Sequence, residues 1–154
     1  MYEKNRKKVK HDHEAGDFHE LTFSCDRRLP LLTNDLWRMD LAEAIDRSMS
    51  RHRFALVGFV FMPEHVHLLV TPLTGDVNIV RLLADIKRPA SLAVKRRLME
   101  AGSDLIRKLT VRQRPGVMTF RFWQEGPDDD RNLNNAKAMK SAIEYIHLNP
   151  VRRE

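Results

Sequence analysis

The sequence predicts an α+β sandwich, an antiparallel sheet with helices mainly on one face. Three observations lead there. Short stretches of strand character are interleaved with longer stretches of helical period. Two of the strand-like stretches, 54–62 and 65–71, are apolar and rich in aromatic and β-branched residues, and only Pro63-Glu64 separates them, so they form an antiparallel pair. No segment repeats, and 154 residues fit one domain, because domains cluster at about 100 to 150 residues.

The elements follow in order. Lys4, Arg6, Lys7, Lys8 and Lys10 form a basic run without hydrophobic period, which predicts a flexible arm over 1–16 ahead of a single domain over 17–154. Phe18, Leu21 and Phe23 mark a first strand ending at Ser24, although its alternation is imperfect. Thr33 and Asn34 carry side chains that cap a helix start, and Leu36, Met39, Ala42, Ile45 and Met49 then recur as the inward face of a helix over 35–51. After the strand pair, 74–78 supplies turn and cap chemistry. Ile79, Leu82, Leu83 and Ile86 define a second helix, which Pro89 is expected to kink or stop, with 90–99 resuming beyond it. The polar, basic stretch 101–116 has no assignable structure. Residues 119–123 read as another strand, ended by Gly126-Pro127. Ala136, Met139, Ile143 and Ile146 mark a last helix from Asn134 or Asn135 to Leu148, and Pro150 puts its end at Asn149.

Composition narrows the function. With 27 Lys and Arg against 21 Asp and Glu, the net charge of +6 favours an anionic partner such as nucleic acid. The single Cys25 forms neither an internal disulfide nor a thiolate zinc site, so it reads as a small buried strand residue in a reducing, cytoplasmic protein. Residues 1–13 lack the apolar run of about 7 to 15 residues that a signal peptide needs. Nowhere is there a run of about 18 apolar residues, so no membrane is expected as a partner.

Two short motifs carry chemistry. In His65-Val66-His67 the period-two geometry of a strand projects both imidazoles from one face, while Val66, Leu68 and Val70 face the core. Spacing alone decides little, because seven histidines in this length give roughly 0.3 such triplets by chance. His11-Asp12-His13 has the same spacing in the charged arm, with no strand around it, and is assigned no function. Near the C-terminus, Tyr145 and Asn149 lie four residues apart, which places a phenol and an amide on nearly the same helix face. An ordinary phenol is almost wholly protonated at neutral pH, so a tyrosine nucleophile needs activation of itself or of its target.

Taken together, Met62-Pro63-Glu64-His65-Val66-His67, Phe122-Trp123-Gln124 and Tyr145-Ile146-His147-Leu148-Asn149-Pro150-Val151 resemble the motifs of the REP-associated tyrosine transposases, a branch of the single-tyrosine HUH transposases. The resemblance runs from about Phe18 to Arg153 in consistent order. It implies a ferredoxin-like or RRM-like fold. It also implies a strand transferase that cleaves and rejoins hairpin-bearing single-stranded DNA through a covalent 5′-phosphotyrosine. Tyr145 would be the nucleophile, and His65, His67 and Asn149 would hold Mg²⁺ or Mn²⁺. Glu64 and His147 are candidates to support that site from behind. Lys87, Arg88, Lys95, Arg96, Arg97, Arg121, Trp123 and Arg152 are candidate DNA contacts. The family has both monomers and homodimers. This chain departs from the family in carrying Asp128-Asp129-Asp130 where relatives have an aromatic residue, and in stopping at Glu154 where relatives continue. Two alternatives stay open: a DNA-binding protein of the same fold without full activity, and a metal-dependent phosphohydrolase in which Tyr145 is incidental.

Overall fold

The structure, a computed structural model, describes residues 17–133 and 135–152, the side chains of 149–152 excepted. The expected arm over 1–16 lies outside the described residues. The first strand, β1 (Phe18–Ser24), leads through two short turns to α1 (Asp35–His52), β2 (Phe54–Phe61), β3 (His65–Pro72) and α2 (Ile79–Glu100). A short helix α3 (Leu105–Leu109) and a hairpin of β4 (Thr110–Arg114) and β5 (Val117–Phe120) follow, then β6 (Asp129–Leu133) and α4 (Ala136–Arg152). The main sheet has the order β2-β3-β1-β6 with every pair antiparallel, which is the ferredoxin-like arrangement once the α3-β4-β5 insertion is set aside.

The two faces of the sheet carry different loads. Leu21 and Phe23 of β1 and Val66, Leu68 and Val70 of β3 alternate onto the face covered by α1 and α2, where they build the larger core with Leu41, Ile45, Leu82 and Ile86. On the opposite face α4 lays Ala142 and Ile146 over Val60, Met62, Leu69 and Leu133 in a smaller cluster. The register between β2 and β3 shifts between Leu56 and Gly58. That irregularity re-aims β2, so Phe54 serves the first core and Val60 the second.

Several boundaries differ from expectation for identifiable reasons. Asn34 does cap α1, its side chain accepting from the amides of Leu36 and Trp37. The buried stripe of α1, however, runs through Trp37, Leu41, Ala44, Ile45 and Met49, leaving Leu36 half exposed and Met39 exposed. The large Trp37 ring, edge-on to Phe122, sets that rotation. Pro89 does not end its helix: α2 is continuous from Ile79 to Glu100. Burial of Ile86, Ala90, Val94 and Leu98 on either side outweighs the roughly 3 kcal/mol that an interior proline costs. The unassigned 101–116 stretch supplies α3 and β4, while the strand expected at 119–123 is instead β5, ending at Phe120. Phe122 and Trp123 leave it to pair with the end of β1, where Cys25 and Trp123 form an isolated bridge. The acidic 128–130 stretch opens a strand that propensity argued against, β6. Asn135 caps α4 through Ala138, and the helix passes Pro150 to reach Arg152. In α4 it is Ala142 and Ile146 that are buried, whereas Ile143 is 45% exposed.

Cys25 is fully buried under this bridge. Burial, with the charge of Glu64 adding to it, pushes the thiol up to about 12 against the pull of nearby backbone hydrogen bonds. The folded protein is therefore expected to resist iodoacetamide at pH 8 over a period that labels the urea-unfolded chain completely. Rapid labelling of the native state, read by intact mass, would contradict that burial.

Candidate active site

Period-two alternation in β3 sends His65 and His67 to the face opposite Val66 and Leu68, beneath α4. Both are buried, at 4% and 6% exposure. Their rings meet edge to face, with centroids 4.7 Å apart, and their Nε2 atoms converge to 2.9 Å. Each ring is held from behind. His65 Nδ1 lies 3.0 Å from a carboxylate oxygen of Glu64, which can only accept. His67 Nδ1 lies 3.0 Å from the Thr22 hydroxyl, with a Glu20 oxygen at 3.8 Å.

This arrangement fits a divalent cation. With Nδ1 as the donor on each ring, a role the Glu64 carboxylate imposes on His65 and the Thr22 hydroxyl permits on His67, two Nε2 lone pairs face each other and repel unless a cation or a proton lies between them. Two nitrogens bound at right angles to one ion at about 2.1 Å stand about 3 Å apart, close to the observed separation. Among the described residues no group of three or more His, Cys, Asp and Glu side chains could hold a metal ion, so any further ligand to the pair has to come from elsewhere. Asn149, expected as the third ligand, has its side chain outside the described residues, as does Arg152.

Tyr145 approaches the pair from α4. Its ring stands perpendicular to His67 with centroids 5.1 Å apart, and the residue is 40% exposed. Ala142 and Ile146 seat the helix on the sheet, and Tyr145, three residues after the first, sits at the flank of that stripe. A partly exposed phenol thus stands against the buried imidazole pair. His147, by contrast, is exposed beside the apolar groove between α4 and β2, with Ile143 and Ile146, and does not join the pair.

The chain's own pattern held two members that sequence reasoning passed over. Glu20 and Thr22 alternate with Leu21 and Phe23, so the register that buries the latter turns the former toward His67. Burial raises the Glu20 carboxyl above its ordinary range, and Arg131 offsets part of this.

The candidate DNA contacts separate into two groups. Lys87 is gripped by both Asp128 oxygens at 2.9 Å, Arg97 by Asp40 at 2.7 and 2.9 Å, and Arg121 by Glu125 at 3.2 Å. Trp123 is 7% exposed, packs on Phe23 and Phe122, and donates to the Lys87 carbonyl. The Lys87, Arg97 and Trp123 contacts hold α2 to its neighbours, whereas Arg121 and Glu125 pair within the segment after β5. Arg88, Lys95 and Arg96 form no ion pair among the described residues; Arg88 and Arg96 are exposed and Lys95 is partly buried, with Arg88 near enough to Asp85 to help lower its carboxyl.

Fold and site together define a ferredoxin-like protein with a paired-histidine centre and a tyrosine brought to it by a separate helix. The chain belongs to the IS200-like transposase family, whose model matches residues 4–115, a span that includes His65 and His67 and ends before α4. Among solved structures it is similar to a REP-associated tyrosine transposase bound to a REP hairpin, at 20% identity and a TM-score of 0.65, over 99% of this chain and 74% of that one. It is also similar to a Deinococcus radiodurans R1 protein assigned as a transposase, at 19% identity and a TM-score of 0.51, over 96% of this chain and 97% of that one. No curated protein matches. Among the described residues no helix is long and apolar enough to cross a membrane.

Proposed function

We propose that this transposase is a single-tyrosine strand transferase acting on single-stranded DNA, with Tyr145 as its nucleophile. The observation that carries this is the contact of the Tyr145 ring with His67, at the place where two imidazole Nε2 atoms converge.

His65 and His67 would hold a divalent cation such as Mg²⁺ or Mn²⁺, with Asn149 as the expected third protein ligand. When bound, that ion supplies neutralisation of the charge that builds on the phosphate oxygens. Glu64, Thr22 and Glu20 fix the ring orientations, so the two donors are set before DNA arrives. Tyr145 Oη then attacks phosphorus in line. The Oη–P bond forms as the P–O3′ bond breaks, the phenolic proton passes to solvent, and the departing 3′ oxygen takes up a proton as a hydroxyl. Attack by another 3′-hydroxyl runs the same exchange backwards and joins strands without an external energy source. The likeness to a transposase held on a REP hairpin supports hairpin-bearing DNA as the target.

The test is a denaturing gel of the protein mixed with a labelled, hairpin-bearing single-stranded oligonucleotide and Mg²⁺ or Mn²⁺. A labelled band at protein mass plus DNA, absent with chelator, is expected. Nicked DNA without that band would mean hydrolysis by activated water, and binding without cleavage would mean a recognition module; either result overturns the proposal.

A further inference from the structure

We infer a second nucleic-acid site, a cleft between α2 and the 119–128 segment that takes one unstacked base of the DNA strand leaving the histidine centre. The cleft has a volume of about 780 Å³, within the range of small-ligand pockets and roomy for a nucleotide. Its floor is apolar and fully formed, built from Leu83, Phe122 and Trp123. Its mouth is different. Arg88, Ser91, Leu92 and Lys95 line it from positions i, i+3, i+4 and i+7 of one helix face, and Leu92 is 56% exposed between the two cations. Arg88 and Lys95 stand about 10 Å apart along the helix axis, so phosphates that approach the mouth meet a cation on either side of Leu92.

The walls are braced rather than collapsible. Asp128 clamps Lys87 across the cleft, and the Trp123 indole N–H bonds the Lys87 carbonyl, so α2 and the opposing segment are tied at the base. The carboxylates that also line the cleft are engaged, Asp128 by Lys87, Glu125 by Arg121 and Asp130 by His19, which leaves Arg88 and Lys95 without an ion pair beside apolar surface; that combination matches a flat apolar ring with an anionic link, a nucleotide within a single strand.

The cleft opens on the α2 face of the sheet and the histidine pair lies on the α4 face, so a strand passing from one to the other rounds the end of β1. Gln124, on its lip, donates its backbone N–H to the Ser24 carbonyl at 2.8 Å, and Ser24 is the register partner of His65. Two strand spacings, about 10 Å, therefore separate the lip from the metal-ligand strand. The choice of DNA as occupant rests on the proposed strand-transfer reading; the cleft and its cations do not.

The experiment measures affinity by fluorescence polarisation with the full chain in EDTA, so that no cleavage intervenes. The probes are a mixed-sequence 12-nucleotide single strand and the same backbone with abasic sites throughout. The intact strand is expected to bind about tenfold or more tightly than the abasic one. Ser91→Trp, which fills the cleft from a half-exposed helix position, should shrink that ratio at least fivefold. Arg88→Gln with Lys95→Gln should weaken both probes alike. Leu92→Trp at the exposed mouth replaces Ser91→Trp should the latter fail to fold. In parallel, 2-aminopurine moved along the strand should change emission at one position, and lose that change in the filled variant. A ratio near one, or a ratio the filling variants leave intact, overturns the cleft. Loss of the covalent adduct with this ratio preserved would instead remove the catalytic reading and leave the cleft standing.

Discussion

Tyr145→Phe is expected to abolish the covalent protein–DNA band while changing DNA affinity by no more than about twofold, the scale of a partly exposed substitution. The ring stays, so its edge-to-face contact with His67 and the seating of α4 through Ala142 and Ile146 survive. Only the oxygen that would bond phosphorus is removed. The change therefore separates a nucleophile from a packing tyrosine more sharply than alanine would, since alanine also uncovers the histidine pair. Full adduct formation by the phenylalanine variant would mean another nucleophile and would remove Tyr145 from the chemistry.

The largest effect on stability is expected at Phe122, far from that chemistry. It is 2% exposed and lies edge-on to both Trp37 of α1, with centroids 6.0 Å apart, and Trp123, at 4.6 Å. Phe122→Ala opens a cavity where α1 meets the segment that extends β1, and such truncations cost about 3–5 kcal/mol. Set against a domain stability of roughly 5–15 kcal/mol, the variant should unfold at markedly lower urea. Met39→Ala, on the exposed side of α1 at 57% exposure, should move the midpoint little. Equal losses at the two positions would show that the aromatic cluster is not the keystone the packing indicates.

Much of this architecture was legible because it rests on local period. The strand pair around Pro63-Glu64, the capped start of α1 at Asn34 and the facing of His65 and His67 all follow from alternation and turn chemistry within a few residues. What escaped depends on partners distant in sequence. Strand β6 begins with Asp129 and Asp130, poor strand formers, and exists because β1 offers a free edge and Asp130 meets buried His19 at 2.9 Å. The course of α2 through Pro89 is decided by tertiary burial on both sides of the proline. In the site, the histidine pair and Tyr145 could be named from their motifs, whereas Thr22 and Glu20 carry no motif and become visible only when β1 is set in register beside β3. The roles of Lys87 and Arg97 were equally hidden, since charge in a sequence does not reveal which carboxylate will claim it.

Because neighbouring side chains of β3 serve opposite faces, insertion or loss of a single residue there would do more than shift a strand. It would drive two imidazoles into the larger core and lift valine and leucine to where the histidine pair meets Tyr145, disrupting the interior and the site at once. Length changes in the α3-β4-β5 excursion face no such double penalty, since the four-stranded sheet closes without it. Natural variation in chain length should accordingly gather in that excursion and spare the eight residues of β3.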